Sequence, residues 1–347
     1  MLSYIIGVVI FIESSITALI AGAVGKAFYD KYKIPPEKLA FVCDSTAAPV
    51  SSLIVLNGWG ALLLGLISTQ ITMGTIEGDS VEILIDAVFY NFYAMSALVV
   101  TFLYIWFGVD IGAMKRVKYT PSAVIKSTKE RSMYYMLLPI FTMILLVFIY
   151  LYITGDGNIL KGSGSTSIFY TILTTLVMMF FYYVGTKNIS TKEFGVTAFR
   201  GAKKLFPIAI ILLFAFAIGD VTTELKTGLY LASFMSENID SYLLGAVVFL
   251  LSSIIAFSTG TSWGTFSIMV PIAVPMAVGL DVDVSLAIGA LISGGVFGDH
   301  CSPISDTTII SSMATECEVT SHVKTQLPYA LLSGFIALIL FIIMGIT

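Results

Sequence analysis

The sequence predicts an all-α polytopic membrane protein: an inverted-repeat ion-transporter fold with broken helices and a re-entrant hairpin. Three observations point there. Of 347 residues, 57% are hydrophobic and only 12% charged, whereas soluble domains carry roughly 25% charge. The apolar residues fall in runs near the roughly 20 residues that a helix needs to cross a bilayer. The basic residues are confined to a few loops. This composition excludes an ordinary soluble enzyme, a disordered tail and a nucleic-acid binder, and the net charge of −4 leaves no basic surface to explain. Cys43, Cys301 and Cys317 are odd in number and lie in apolar or near-apolar stretches. They form neither a disulfide framework nor a zinc pattern.

In chain order, the candidate segments are roughly 2–23, 39–56, 57–76, 87–108, 133–154, 167–186, 205–222, 241–257, 265–280, 284–313 and 327–346. Their apolar residues are continuous rather than alternating, so a β-barrel does not fit. The first run has neither a preceding basic residue nor a clean cleavage pattern, which argues against a signal peptide. Fifteen of the 18 Lys and Arg residues sit in three loops. These hold Lys26, Lys31, Lys33 and Lys38; then Lys115, Arg116, Lys118, Lys126, Lys129 and Arg131; then Lys187, Lys192, Arg200, Lys203 and Lys204. The positive-inside rule places all three in the cytoplasm. The acidic or neutral connections at 77–86, 155–165, 237–240 and 281–283 are expected outside. The stretch 191–205 is expected to form an amphipathic helix on the inner surface.

Small and polar residues interrupt several segments at mid-depth. Ser258-Thr-Gly-Thr-Ser-Trp-Gly264 reads as the tip of a re-entrant hairpin, since irregular backbone survives at membrane depth only inside protein or against water. Asp44-Ser-Thr-Ala-Ala-Pro49 and Gly298-Asp-His-Cys-Ser-Pro303 read as breaks in helices, because proline interrupts the hydrogen-bond ladder. The two breaks follow loops of opposite charge. Similar breaks with opposite orientation mark an inverted repeat, with the substrate near the midplane between them. The expectation is one transmembrane domain, 1–347, of about 9–11 segments. Its first-repeat core is 1–76 and its second-repeat core 205–347.

Five carboxylates fall inside apolar segments: Glu13, Asp44, Asp220, Asp299 and Asp306. A charge at the bilayer centre costs at least about 2.5–3.5 kcal/mol. No Lys or Arg lies between Lys226 and Lys324, so Asp299 and Asp306 have only His300 as a basic neighbour in sequence. A proton neutralises such a carboxylate, and so does a bound cation. A site that accepts one or the other is the minimal chemistry of cation/proton exchange. Thr261, Ser262, Ser302, Ser305 and, in the first half, Ser45 offer the oxygen ligands that hard cations prefer. His300 could relay the proton. Simpler roles stay open: Asp44 and Asp306 also suit helix caps, Glu13, Asp220 and His300 also suit polar interhelical contacts, and Thr261 and Ser262 also suit helix-to-helix hydrogen bonds.

Four stretches resemble the NhaC-type Na⁺/H⁺ antiporter family. They are Gly298-Asp-His-Cys-Ser-Pro-Ile-Ser-Asp-Thr-Thr-Ile-Ile-Ser-Ser312, Ser321-His-Val-Lys-Thr-Gln-Leu-Pro-Tyr-Ala330, Phe257-Ser-Thr-Gly-Thr-Ser-Trp-Gly-Thr265 and Glu37-Lys-Leu-Ala-Phe-Val-Cys-Asp-Ser-Thr-Ala-Ala-Pro49. The resemblance runs from about residue 13 to about 330. It implies a multi-pass plasma-membrane antiporter that exchanges Na⁺ for H⁺, with Asp299, Asp306 and Asp44 as the Na⁺- and H⁺-accepting groups. Two departures stand out. Family members usually carry additional helices before the segment matching Phe11–Gly22, so a chain lacking N-terminal helices, inactive in that form, is one expectation. The family also has an aspartate pair where this chain has Glu13-Ser14.

The expected partners are the lipid bilayer, Na⁺ and H⁺, with no nucleic acid and no cofactor. A homodimer stays open. No Gly-rich Lys-Ser/Thr loop is present, which argues against an ATP-driven pump, and no zinc or nucleophile motif suggests an enzyme. A Na⁺- or H⁺-coupled carrier of a small organic ion is the alternative.

Overall fold

The computed structural model describes residues 1–11, 14–119, 134–157, 162, 164–225, 230, 233 and 240–346. The described residues are helical with no strand. They form two compact units, one made of Met1–Ala123 and Ala215–Thr347, the other of Val124–Phe214. Five described helices are long and apolar enough to cross a membrane, or six if one bent pair counts as a single span.

The first unit opens with α1 (Leu2–Val9) and α2 (Ser14–Lys31). The sequence reads as one segment here, but Ile10 adopts extended backbone and the helix is interrupted. Polar side chains recover the carbonyls that the interruption frees. Thr17 Oγ1 donates to the Ile10 carbonyl (2.5 Å) and Asn57 Nδ2 to the Phe11 carbonyl (3.0 Å). Buried carbonyls require such partners.

Helix α3 (Pro36–Leu53) starts on a proline, which suits the first turn of a helix. It then runs unbroken through Asp44 and Pro49, where the sequence reads a break. Prolines are tolerated inside buried membrane helices because neighbouring groups compensate for the lost bond. Here the interruption comes later, at 54–57, and α4 (Gly58–Thr72) leaves at an angle of 40° to α3. Asn57 caps α4 by accepting from the Trp59 and Gly60 amides (2.9 and 3.1 Å). Its Nδ2 also donates to the Ser51 carbonyl (2.7 Å). One side chain therefore closes both sides of the bend.

Asp79 caps α5 (Ser80–Phe89), and Asn91 caps α6 (Phe92–Phe107). Near the other end of the chain come α10 (Leu244–Thr259), α11 (Ser262–Gly279), α12 (Val284–Cys301), α13 (Asp306–Thr315) and α14 (Val319–Ile346); α7 to α9 belong to the account of the second unit below. Gly260, at φ +66°, turns the chain between α10 and α11. Glycine reaches that region without strain. The segment read as 284–313 is divided at 302–305 into α12 and α13.

Helix α12 is the axis of this unit, with 16 of its 18 residues buried. Small residues let its neighbours approach. A Cβ added at Gly294 would sit 2.3 Å from the Phe249 carbonyl oxygen, and one at Gly298 would sit 2.1 Å from that of Ser253. These two glycines, four residues apart, seat α12 directly on the backbone of α10. Close backbone approach of this kind drives helix association where solvent offers no hydrophobic force. Trp59 of α4 meets Phe266 of α11 edge-on at 5.8 Å and completes the apolar core.

In the second unit α7 (Tyr134–Thr154) packs against α8 (Gly164–Gly185). Polar contacts tie the pair: Tyr150 to Thr174 (2.6 Å), Thr154 to Ser167 (2.9 Å), and Tyr183 to the Tyr135 carbonyl (2.5 Å). Next comes α9 (Thr191–Glu224), which belongs to the second unit up to Phe214 and to the first from Ala215, and in which the expected surface helix 191–205 and the span 205–222 are continuous. Ser190 and Glu193 form a reciprocal capping box at its start (both bonds 3.2 Å).

The packing argument makes a prediction. Gly294→Val should cost about 1–3 kcal/mol, the usual effect of overpacking a tight core. Gly65→Val, where an added Cβ meets nothing within 4 Å, should change stability far less. Thermal unfolding of both variants in the same detergent measures the difference.

Candidate functional site

Asp44 lies in the middle of α3 and is 0% exposed. Two helices supply three partners to one of its carboxylate oxygens. Oδ2 accepts from Thr308 Oγ1 of α13 (3.2 Å) and from Gln326 Nε2 of α14 (2.7 Å). His322 Nε2 of α14 stands 3.2 Å from the same oxygen. His322 and Gln326 are four residues apart and so share one face of their helix. The other oxygen, Oδ1, has no hydrogen-bond partner. Its nearest basic atom among the described residues is His300 Nε2, at 3.8 Å.

Asp299 and His300 occupy the last turn of α12 and are buried. His300 is held at both ring nitrogens. Nε2 donates to the backbone carbonyl of Asp44 (2.8 Å), so Nδ1 accepts from Tyr93 OH (2.9 Å). That arrangement is complete for a neutral imidazole. Gln326 Nε2 also donates to the His300 carbonyl (2.8 Å). Gln326 and His300 between them tie α14, α12 and α3 together around Asp44.

The broken helix supplies the rest. Ser305 caps α13, and the next residues place hydroxyls on both carboxylates. Thr307 Oγ1 donates to Asp299 Oδ2 (3.4 Å), and Thr308 Oγ1 to Asp44 Oδ2. Both aspartates therefore face the first turn of α13, where free amides and the helix dipole favour negative charge. Beside them, Ser305 Oγ pairs with Thr307 Oγ1 (3.0 Å), and Ser262 Oγ of α11 donates to the Gly295 carbonyl of α12 (3.1 Å).

A second layer leads away from His300. Tyr93 N donates to Ser293 Oγ (3.3 Å), Ser293 Oγ to Asn91 Oδ1 (3.0 Å), and Asn91 Nδ2 to Ser52 Oγ (2.9 Å). This network joins α12 to the start of α6 and the end of α3.

The residues read from the sequence are thus distributed unequally. Asp44, Asp299, His300, Ser305 and Ser262 come together. Ser302 is buried but donates to the Phe257 carbonyl (2.9 Å), which anchors the chain break to α10. Ser45 is buried beside Asp44 on α3. Thr261 is half-buried at the start of α11 and its side chain makes no cap bond. Asp306 is exposed on the first turn of α13, and no hydrogen bond joins it to Asp44 or Asp299. Glu13 lies outside the described residues. Asp220 falls within α9, and its side chain lies outside those described.

Sequence reasoning did not single out His322, Gln326, Tyr93 or Asn91. One signal was available: the chain has only two histidines, and His322 stands four residues before a glutamine in a membrane-bound segment. Tyr93 and Asn91 carried none, because their partners lie about 200 residues away.

The geometry predicts a measurable role for Tyr93. Tyr93→Phe leaves His300 Nδ1 without its donor at a buried position and should cost about 1–3 kcal/mol. Thermal unfolding should show this loss, and the double variant Tyr93→Phe/His300→Gln should lose less than the sum of the two single variants.

Comparison with known proteins adds the remaining findings. A family model described as the Na⁺/H⁺ antiporter family matches residues 57–346. An uncharacterized protein of Haemophilus influenzae is 32% identical over 360 aligned positions, which cover 98% of this chain and 69% of that protein. Two shorter matches also carry names. The malate-2H⁺/Na⁺-lactate antiporter of Bacillus subtilis is 35% identical over 104 residues, 30% of this chain and 22% of its own length. The Na⁺/H⁺ antiporter NhaC of Alkalihalophilus pseudofirmus is 30% identical over 96 residues, 28% of this chain and 21% of its own.

Proposed function

The chain belongs to the Na⁺/H⁺ antiporter family, and from that premise we propose that it exchanges Na⁺ for H⁺ through Asp44 and Asp299. It is a multi-pass plasma-membrane protein of a transporter family rather than an enzyme. The observation that carries the reading is the environment of Asp44. Its carboxylate is fully buried, Oδ1 has no hydrogen-bond partner, and no Lys or Arg contacts either aspartate among the described residues.

A bare carboxylate in that position is costly. A proton relieves the cost, and so does a cation. Either occupant displaces the other, because each neutralises the same charge. That competition couples the two fluxes without any further device. The donors on Oδ2 hold the carboxylate in one orientation and leave Oδ1 for the exchanging species. The first turn of α13 offsets part of the negative charge of the two aspartates, so the site need not bind its cation too tightly to release it. In this reading the basic loops face the cytoplasm, and residues 1–76 and 205–347 are the two repeat cores around the site. Asp306, on the first turn of α13, is then an accessory carboxylate.

The same environment argues for a cationic cargo. The amides at the first turn of α13 already face two carboxylates, which repel an organic anion, and no Lys or Arg among the described residues offsets that repulsion. One relative is named for malate and lactate exchange, so the organic-ion reading enters the test directly.

The test uses everted membrane vesicles with an acid interior set by respiration and a pH-sensitive dye. Added Na⁺ should release the quenched dye, and choline should not. Asp44→Asn should abolish the response and Asp299→Asn should abolish or strongly reduce it, because an amide cannot trade a proton for a cation. Full Na⁺-driven exchange in Asp44→Asn removes that residue from the site. A wild-type response to malate or lactate, with none to alkali cations, replaces the Na⁺/H⁺ reading with an organic-ion carrier.

A further inference from the structure

We propose that Gln326 is a ligand to the transported cation and sets the site's selectivity among alkali ions. The inference rests on the reading of Asp44 as the exchanging carboxylate and adds a neutral oxygen to it.

The orientation of the Gln326 amide follows from its partners. Nε2 lies 2.7 Å from Asp44 Oδ2 and 2.8 Å from the His300 carbonyl oxygen. Both partners are acceptors, so both amide hydrogens are used there. Turning the amide over would set its oxygen against a carboxylate and a carbonyl at the same distances, which is repulsive. The carbonyl oxygen Oε1 is therefore fixed on the remaining side. Gln326 is 0% exposed, and Oε1 has no hydrogen-bond partner.

Asp44 Oδ1 is the matching orphan on the same hydrogen-bonded pair. Each of these two atoms accepts and neither donates. Buried acceptors without partners are rare in folded proteins and call for an explanation. The ligand that completes them is a cation or a hydrogen-bond donor. Hard cations take oxygen ligands, and both carboxylates and glutamine side-chain carbonyls serve. The two roles of Gln326 are connected: the amide hydrogens that hold Oδ2 are what present Oε1.

A neutral amide oxygen affects selectivity because its distance from Asp44 is set by the fixed amide geometry. A smaller or larger ion then meets the same carboxylate but a different fit to Oε1. A residue that only positioned Asp44 would alter all cations alike.

The experiment measures the half-maximal concentrations of Li⁺, Na⁺ and K⁺ for dye release in everted vesicles. Wild type is compared with Gln326→Glu, Gln326→Asn and Gln326→Leu at matched protein levels. Removing the oxygen in Gln326→Leu should raise the half-maximal Na⁺ concentration roughly tenfold, the scale of one lost contact to a charged group. Gln326→Glu and Gln326→Asn, which keep an oxygen in a new setting, should change the ratio of Li⁺ to Na⁺. Should Gln326→Leu fail to insert, the Glu and Asn variants still carry the test through that ratio. Equal loss for every cation with unchanged ratios would reduce Gln326 to a positioning residue and overturn the proposal, as would unchanged half-maximal concentrations. A wild type that answers to no alkali cation would overturn the exchange reading itself, an outcome visible before any variant is compared.

Discussion

Asp44 is an ionisable group with no solvent access in a chain that is otherwise built for lipid. Placing it there imposes a requirement on every element around it. Each oxygen of the carboxylate needs a donor or a cation, and the nearest candidates lie on α12, α13 and α14, more than 250 residues away. The fold of the first unit is the arrangement that brings those distant donors to one side of α3. Without them, burial of the carboxylate would be prohibitive.

Broken helices and glycine packing serve that requirement in different ways. Ending α12 at Cys301 and restarting the chain at Asp306 puts a helix C-terminus and a helix N-terminus beside the two aspartates. The free carbonyl of His300 and the hydroxyls of Thr307 and Thr308 are products of that interruption. The glycines of α12 let α10 sit against its backbone at Gly294 and Gly298. The last turn of α12 is thus packed tightly just before the chain opens. Asn57 does the equivalent work at the other bend, closing the chain between α3 and α4.

The two histidines illustrate how position decides chemistry. His300 is satisfied at both nitrogens in its neutral form and bridges two helices. His322 meets the carboxylate at one nitrogen, while Nδ1 has no partner. From sequence His300 suits either a proton relay or an interhelical contact. In space it is held by a tyrosine and a backbone carbonyl.

Composition, run length and charge partition by themselves determine that this chain is helical and membrane-spanning, because lipid leaves few other solutions to backbone hydrogen bonding. They also mark Asp44, Asp299 and the hydroxyls near them, since an uncompensated carboxylate in an apolar run stands out in one dimension. The exact breaks are less legible. Pro49 reads as an interruption, yet α3 passes through it, and the N-terminal segment reads as one span, yet it divides after Val9. Buried prolines and polar caps act through neighbours that sequence does not locate. Only the tertiary structure decides which groups complete the site. Gln326, His322, Tyr93 and Thr308 matter because helices far apart in sequence meet at α3, and no local pattern encodes a contact whose two halves are 200 to 280 residues apart.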